Sequence, residues 1–207
     1  MDYGPLTYIG GCWKVDSIKI RRVVDASPYS PTIGRLRFGI PIETFRERVI
    51  KKEIPLHTGF TESMDMIADA LGWKIDEVIE TWEPLLSKSR REGPYGIIVE
   101  PNTTCGFIQK RIGLIKGEAR IVLELYFIFK PIPEEDDVEP GDYVEIKGEP
   151  NITLTVKGGT TERGDLVTTA RLVNLVPCVV KAEPGLLSVK DLPPTPPLPD
   201  IRYIAIP

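Results

Sequence analysis

Histidine and glutamine each occur once in the 207 residues, and asparagine and cysteine three times each. Cys12, Cys105 and Cys178 are scattered and never form a CxxC pair. That spacing argues against a zinc site and for reduced thiols in a cytoplasm. No apolar run approaches the roughly 18 residues a membrane span needs. The opening "MDYGPLTYIGGCW" has no basic start followed by an apolar stretch, so it does not read as a signal peptide. The net charge of −4 leaves no general basic footprint, so nucleic acid is not an expected partner. Nowhere does a strand run into GxGxxG and a helix, with an acidic residue about 20 positions on. The chain is therefore expected to bind no dinucleotide by itself. Scarce Gln and Asn beside plentiful Glu, Lys, Arg and Pro lean towards a thermophile source.

What is present is ordinary for a protein with a real core: 42% apolar and 27% charged residues. "VDSIKIRRVV" (15–24) alternates and is rich in β-branched residues, which reads as a strand. In 41–54, Ile42, Phe45, Val49 and Ile50 share one helical face behind Pro41. Met64, Ile67, Ala68 and Leu71 follow the same spacing, with Gly72 as a stop signal. "EVIETWEPLL" (77–86) reads as an edge strand because of Pro84. Two hairpins are expected downstream, one turning at Lys116-Gly117-Glu118 and one at Glu149-Pro150. Leu166, Ala170, Val173 and Val176 then fit a helix lying against a sheet. The expectation is an α+β fold whose open, mixed but mostly antiparallel sheet is covered by helices. One domain is expected over 1–193, followed by a proline-rich extended tail over 194–207.

Three places carry residues suited to chemistry. His57 stands in a loop before a helix start, where a neutral imidazole can accept a proton; equally, it is a capping or surface histidine. "RRVVDAS" (21–27) brings Arg21 or Arg22, Asp25 and Ser27 to a strand end, where an arginine suits a carboxylate and an aspartate an ammonium. An ordinary strand exit fits as well. "GGTTERGD" (158–165) offers Gly158, Gly159 and Thr160 as a backbone cradle for an anion, or a plain turn into a helix. It matches neither nucleotide motif.

Five blocks occur in one order: "VDSIKIRRVVDAS", "HTGFTESMDMIADALGW", "IETWEPLL", "GGTTERGDLVTTARLVNLVP" and "AEPGLLSVKDLP". Together they resemble the C-terminal domain of the 2,4-diaminopentanoate dehydrogenase family, relatives of dihydrodipicolinate reductase, over roughly residues 5–193. The resemblance implies a substrate-binding and oligomerising domain built on an open sheet. It also implies NAD or NADP held by an N-terminal Rossmann domain, here expected from a separate polypeptide. The implied reaction is oxidative deamination of a small diamino acid. In these terms His57 or a nearby carboxylate is the candidate base, and Asp25 or Glu62 would hold an ammonium. Arg22 and the Gly158-Gly159-Thr160 backbone would receive a carboxylate, with Ser27 beside them. Leu56 stands where family members usually carry glycine. A homodimer or higher homo-oligomer closed by sheet packing is expected. The competing reading is a non-catalytic dimeric module that binds an amino-acid-like ligand.

Overall fold

The structure, a computed structural model, describes residues 3–28, 37–159, 164–193, 195 and 197. Its centre is a six-stranded sheet in the order β2-β5-β6-β1-β7-β8. The strands are β1 (Lys14–Asp25), β2 (Glu77–Leu86), β5 (Thr104–Ile115), β6 (Glu118–Ile128), β7 (Gly141–Glu149) and β8 (Ile152–Val156). A two-stranded ladder pairs β3 (Arg91–Glu92) with β4 (Ile98–Val99). β1 runs parallel to β6; every other neighbouring pair is antiparallel. The α+β class and the mostly antiparallel sheet follow the sequence reading.

Alternation decides which face of each strand is buried. On β1, Ile18, Ile20 and Val24 enter the core, while Lys19 and Arg21 point the other way. Their registered partners Ile121, Leu123 and Phe127 on β6 continue the same buried face. Helices α1 (Tyr3–Ile9), α2 (Ile42–Ile50) and α3 (Phe60–Ala70) contribute to this side. α2 buries Phe45, and α3 buries Phe60, Met64, Ile67 and Ala68, the stripe its spacing requires. Gly72, with φ of 64°, follows the end of α3 in the left-handed conformation that stops helices. Lys116 (φ 52°) and Gly117 (φ 77°) turn the β5–β6 hairpin with two positive φ values, the pattern of a tight two-residue loop. β2 lies on the sheet edge, where Pro84 withholds only one ladder donor.

The opposite face is mixed. Glu124, 5% exposed, sits among Arg21 (2.8 Å), Lys110 (3.3 Å) and Lys19 (3.8 Å). Burial works to raise its pKa, but the hydrogen bond and charge of Arg21, helped by Lys19 and Lys110, prevail and hold it below the ordinary carboxylate value. Around it stand half-buried Ile108, Ile112, Val122 and Tyr126, with Ile79 exposed at the edge.

One expectation about packing fails. After a short turn of helix, α4 (Pro133–Asp136), the last long helix is α5 (Gly164–Lys181). It exists where the pattern placed it, but it does not lay Leu166, Val173 and Val176 on the sheet; all three are exposed. Leu175 is its one buried residue. The reason lies in its composition: apolar residues run nearly all round the segment 172–180, so periodicity could not choose a face. Pro177 inside it leaves the Val173 carbonyl without its helical donor.

Candidate functional site

The loop 51–59 between α2 and α3 crosses the helix-covered face near the carboxyl ends of β1 and β6. What holds it there is the chain's lone glutamine. Gln109, on β5 and 1% exposed, accepts from the His57 backbone N–H (2.8 Å) and donates to the His57 carbonyl (3.2 Å). The same amide donates to Glu80 Oε1 (2.9 Å) on β2, and Glu80 also pairs with Arg111. The backbone of His57 is thus fixed from beneath. Gly59, with φ of 99°, is the N-cap of α3 and lets the loop turn upward just after the histidine.

The His57 ring meets Phe60 edge-on at 4.8 Å between centroids, while another side of the residue stays open to solvent. Burial against its neighbours lowers its pKa first, and the positive charge of Arg22 lowers it further; Glu62 works weakly against both. The imidazole is therefore neutral at physiological pH and able to take a proton. Beside it lies an open cavity of about 310 Å³, lined by Arg37, Pro55, Leu56, Thr58, Phe107, Leu125 and Phe127 as well as His57. β5 and β6 supply its apolar floor.

The structure brings some sequence-picked residues together and not others. Arg22 registers beside the cavity residue Leu125, and Glu62 stands in the first turn of α3; both lie within electrostatic reach of His57. Yet the Arg22 guanidinium is already matched, donating to Asp142 through Nε (2.5 Å) and Nη2 (3.0 Å). Asp25 leaves β1 on the opposite face. Its Oδ1 accepts from the backbone of Ser27 (2.9 Å) and Lys130 (3.1 Å), the work of a turn residue. Ser27 is buried there. Gly158 and Gly159 follow β8, four strand spacings from β5, which is about 19 Å across the sheet. Thr160 lies outside the described residues.

Two residues the sequence reading did not single out complete the site. Gln109 had one available signal, a polar side chain following Cys105 and Phe107 on the same alternating face. Arg37 had none: it gains meaning only from the cavity. Among the described residues, no group of three His, Cys, Asp or Glu side chains is placed to hold a metal ion. No helix among them is long and apolar enough to cross a membrane.

Comparison with known proteins agrees with this architecture. Residues 1–204 match the family described as the 2,4-diaminopentanoate dehydrogenase C-terminal domain. The chain is 36% identical over 195 residues to the 2,4-diaminopentanoate dehydrogenase of Acetoanaerobium sticklandii, covering 93% of this chain and 54% of that protein. It is 28% identical over 211 residues to an amine dehydrogenase of Streptomyces virginiae, covering 93% and 57%. Among solved structures, an amine dehydrogenase from Mycobacterium smegmatis superposes with a TM-score of 0.74 at 19% identity, covering 92% of this chain and 55% of that one. The chain spans about half the length of the relatives it matches.

Proposed function

The chain belongs to the 2,4-diaminopentanoate dehydrogenase C-terminal domain family, and we propose that it is the substrate-holding, oligomerising half of an NAD(P)-dependent dehydrogenase acting on an amino-acid-like amine. The observation that carries this reading is His57, held neutral at the mouth of a substrate-sized cavity on the helix-covered face. Oxidative deamination needs the substrate amine in its unprotonated form, because only then can the adjacent carbon release hydride. His57 takes that proton. Glu62, close by, steadies a second ammonium group. The apolar floor of Phe107, Leu125 and Phe127 shields one side of the reacting carbon from water.

The residues of this chain include no strand–GxGxxG–helix unit, so they do not fit a nicotinamide site of their own. When present, that cofactor accepts the hydride; its holder is a Rossmann domain outside these residues. The exposed face of α5 supports where such a domain docks. From Leu172 to Val180 the helix carries no charge, and Leu172 and Val180 are 66% and 77% exposed. A surface of that kind calls for a cover. The face around Ile79, Ile112 and Val122 suits a second copy of the chain, closing a dimer sheet to sheet.

Mixing the purified chain with a Rossmann-domain partner and following nicotinamide absorbance with diamino acids tests the reading. Turnover is expected only in the mixture. A double change of Leu172→Glu and Val176→Glu should abolish it while moving unfolding stability by less than about 0.5 kcal/mol, as surface changes do. NAD(P) binding by the chain alone, or full turnover by the double variant, would overturn the arrangement. Diamino acid binding that never leads to turnover would favour a binding module instead.

A further inference from the structure

The cavity beside His57 contains a cation that no carboxylate among the described residues satisfies. Arg37 donates from Nη2 to the Pro55 carbonyl (2.6 Å), and its guanidinium lies over the rings of Phe127 (5.4 Å) and Phe107 (6.0 Å). No carboxylate pairs with it among the described residues. Arg22, by contrast, is taken up twice over by Asp142, and Arg91 is gripped by Asp136 and two backbone carbonyls. Contact with two rings neutralises no charge, and it strips the guanidinium of part of its water. Burial accordingly pulls its pKa down, although an arginine stays charged. A half-desolvated guanidinium lining a cavity is suited to a planar anion.

We propose that Arg37 is the anion subsite of the His57 cavity and that it receives the carboxylate of a small aliphatic amino acid. The carbon chain lies on Phe107, Leu125 and Phe127, and the amine is left towards His57. The cavity, about 310 Å³, sits at the small end of ligand pockets, which run from about 300 to 1,000 Å³. This inference rests on the proposed role of the cavity and sharpens it. Of the two named relatives, one acts on a diamino acid and the other on amines; an unmatched arginine in the pocket selects the acid. Arg37 is here a specificity residue and takes no part in proton or hydride transfer.

Because His57 is the only histidine, its imidazole gives a single resonance in a histidine-labelled sample of the full chain, a reporter at the cavity mouth. Titration at low salt with pentanoate should shift that resonance and saturate, whereas pentan-1-amine should not compete. Arg37→Met should weaken pentanoate about ten- to a hundredfold, and Arg37→Lys should recover part of that loss. Equal binding of amine and acid, unchanged binding by Arg37→Met, or no saturable shift up to roughly tens of millimolar pentanoate would overturn the proposal. Should Arg37→Met fail to fold, the comparison of acid with amine on the unaltered chain decides alone. The dehydrogenase reading fails separately: pentanoate binding through Arg37 without turnover in any Rossmann mixture keeps the subsite and removes the enzyme. Turnover of amines and acids alike does the reverse.

Discussion

Replacing Gln109 by leucine should loosen the site before it loosens the sheet. The side chain is fully buried and makes three hydrogen bonds, two to the His57 backbone and one to Glu80. Each neutral bond contributes about 1 kcal/mol net. The bond to Glu80 adds about 0.5 kcal/mol, since that carboxylate is 42% exposed and water can replace the amide. Leucine fills nearly the same volume, so no large cavity opposes the estimate. The expected loss is about 2.5 kcal/mol. With a urea m-value of about 2.5 kcal/mol/M, the midpoint falls by about 1 M. Urea unfolding followed by tryptophan fluorescence measures this, with the His57 resonance recorded alongside. Gln109→Glu serves as a contrast, because it keeps the shape but loses both donors and places a second carboxylate against Glu80. It should be worse than leucine at neutral pH and recover as acid protonates the new group. A midpoint for Gln109→Leu within about 0.2 M of the parent, together with an unmoved His57 resonance, would refute the idea that this amide positions the loop.

The titration of His57 should reach its midpoint below the ordinary value of 6.5, with burial as the main cause and Arg22 as the second. Arg22→Met should raise that midpoint and Glu62→Gln should lower it; shifts of the opposite sign, read by NMR, would remove both groups from the site. A histidine whose folded pKa is depressed binds its proton more readily when unfolded. Stability should therefore be complete above 6.5 and decline as pH falls from there towards the folded midpoint, a slope that His57→Gln should flatten in pH-dependent unfolding. Burial pushes the Cys105 thiol up to about 11, so at pH 8 iodoacetamide should label the half-buried Cys12 and Cys178 and spare Cys105. Fast labelling of Cys105 by mass spectrometry would contradict its placement at the foot of β5.

The local order of the fold was legible wherever one periodicity ruled. β1 alternates and is a strand. α3 repeats Met64, Ile67, Ala68 and Leu71 and is a helix. Lys116-Gly117 is a turn because Gly117 takes its positive φ at no steric cost. Pro84 even located β2 at an edge. Each of these outcomes depends on residues within one turn or one hairpin of each other. The site was only half legible, for the same reason. His57 announced itself by scarcity. The fate of Arg22, however, is decided by Asp142, 120 positions away, and that of Asp25 by the backbone of Lys130. No spacing rule reaches that far, so a charge that looked free in the sequence proved to be spent in the fold.

Arg37 and α5 show the converse. Among the described residues, Arg37 meets no counter-charge and most of α5 has no cover, and neither stood out in the sequence as incomplete. An arginine between Leu36 and Phe38 is unremarkable until two phenylalanine rings are found beside it. A helix such as 164–181, apolar on several sides, satisfies any pattern for burial, and the sheet seemed the natural cover. The sheet instead buries Phe45, Met64 and Ile67 from α2 and α3, and only Leu175 of α5 is buried. Helix faces compete for a limited buried surface, and the one left over is where a second polypeptide or domain can bind without disturbing the core. On the two proposals made above, Arg37 receives the small ligand and α5 the domain that acts on it.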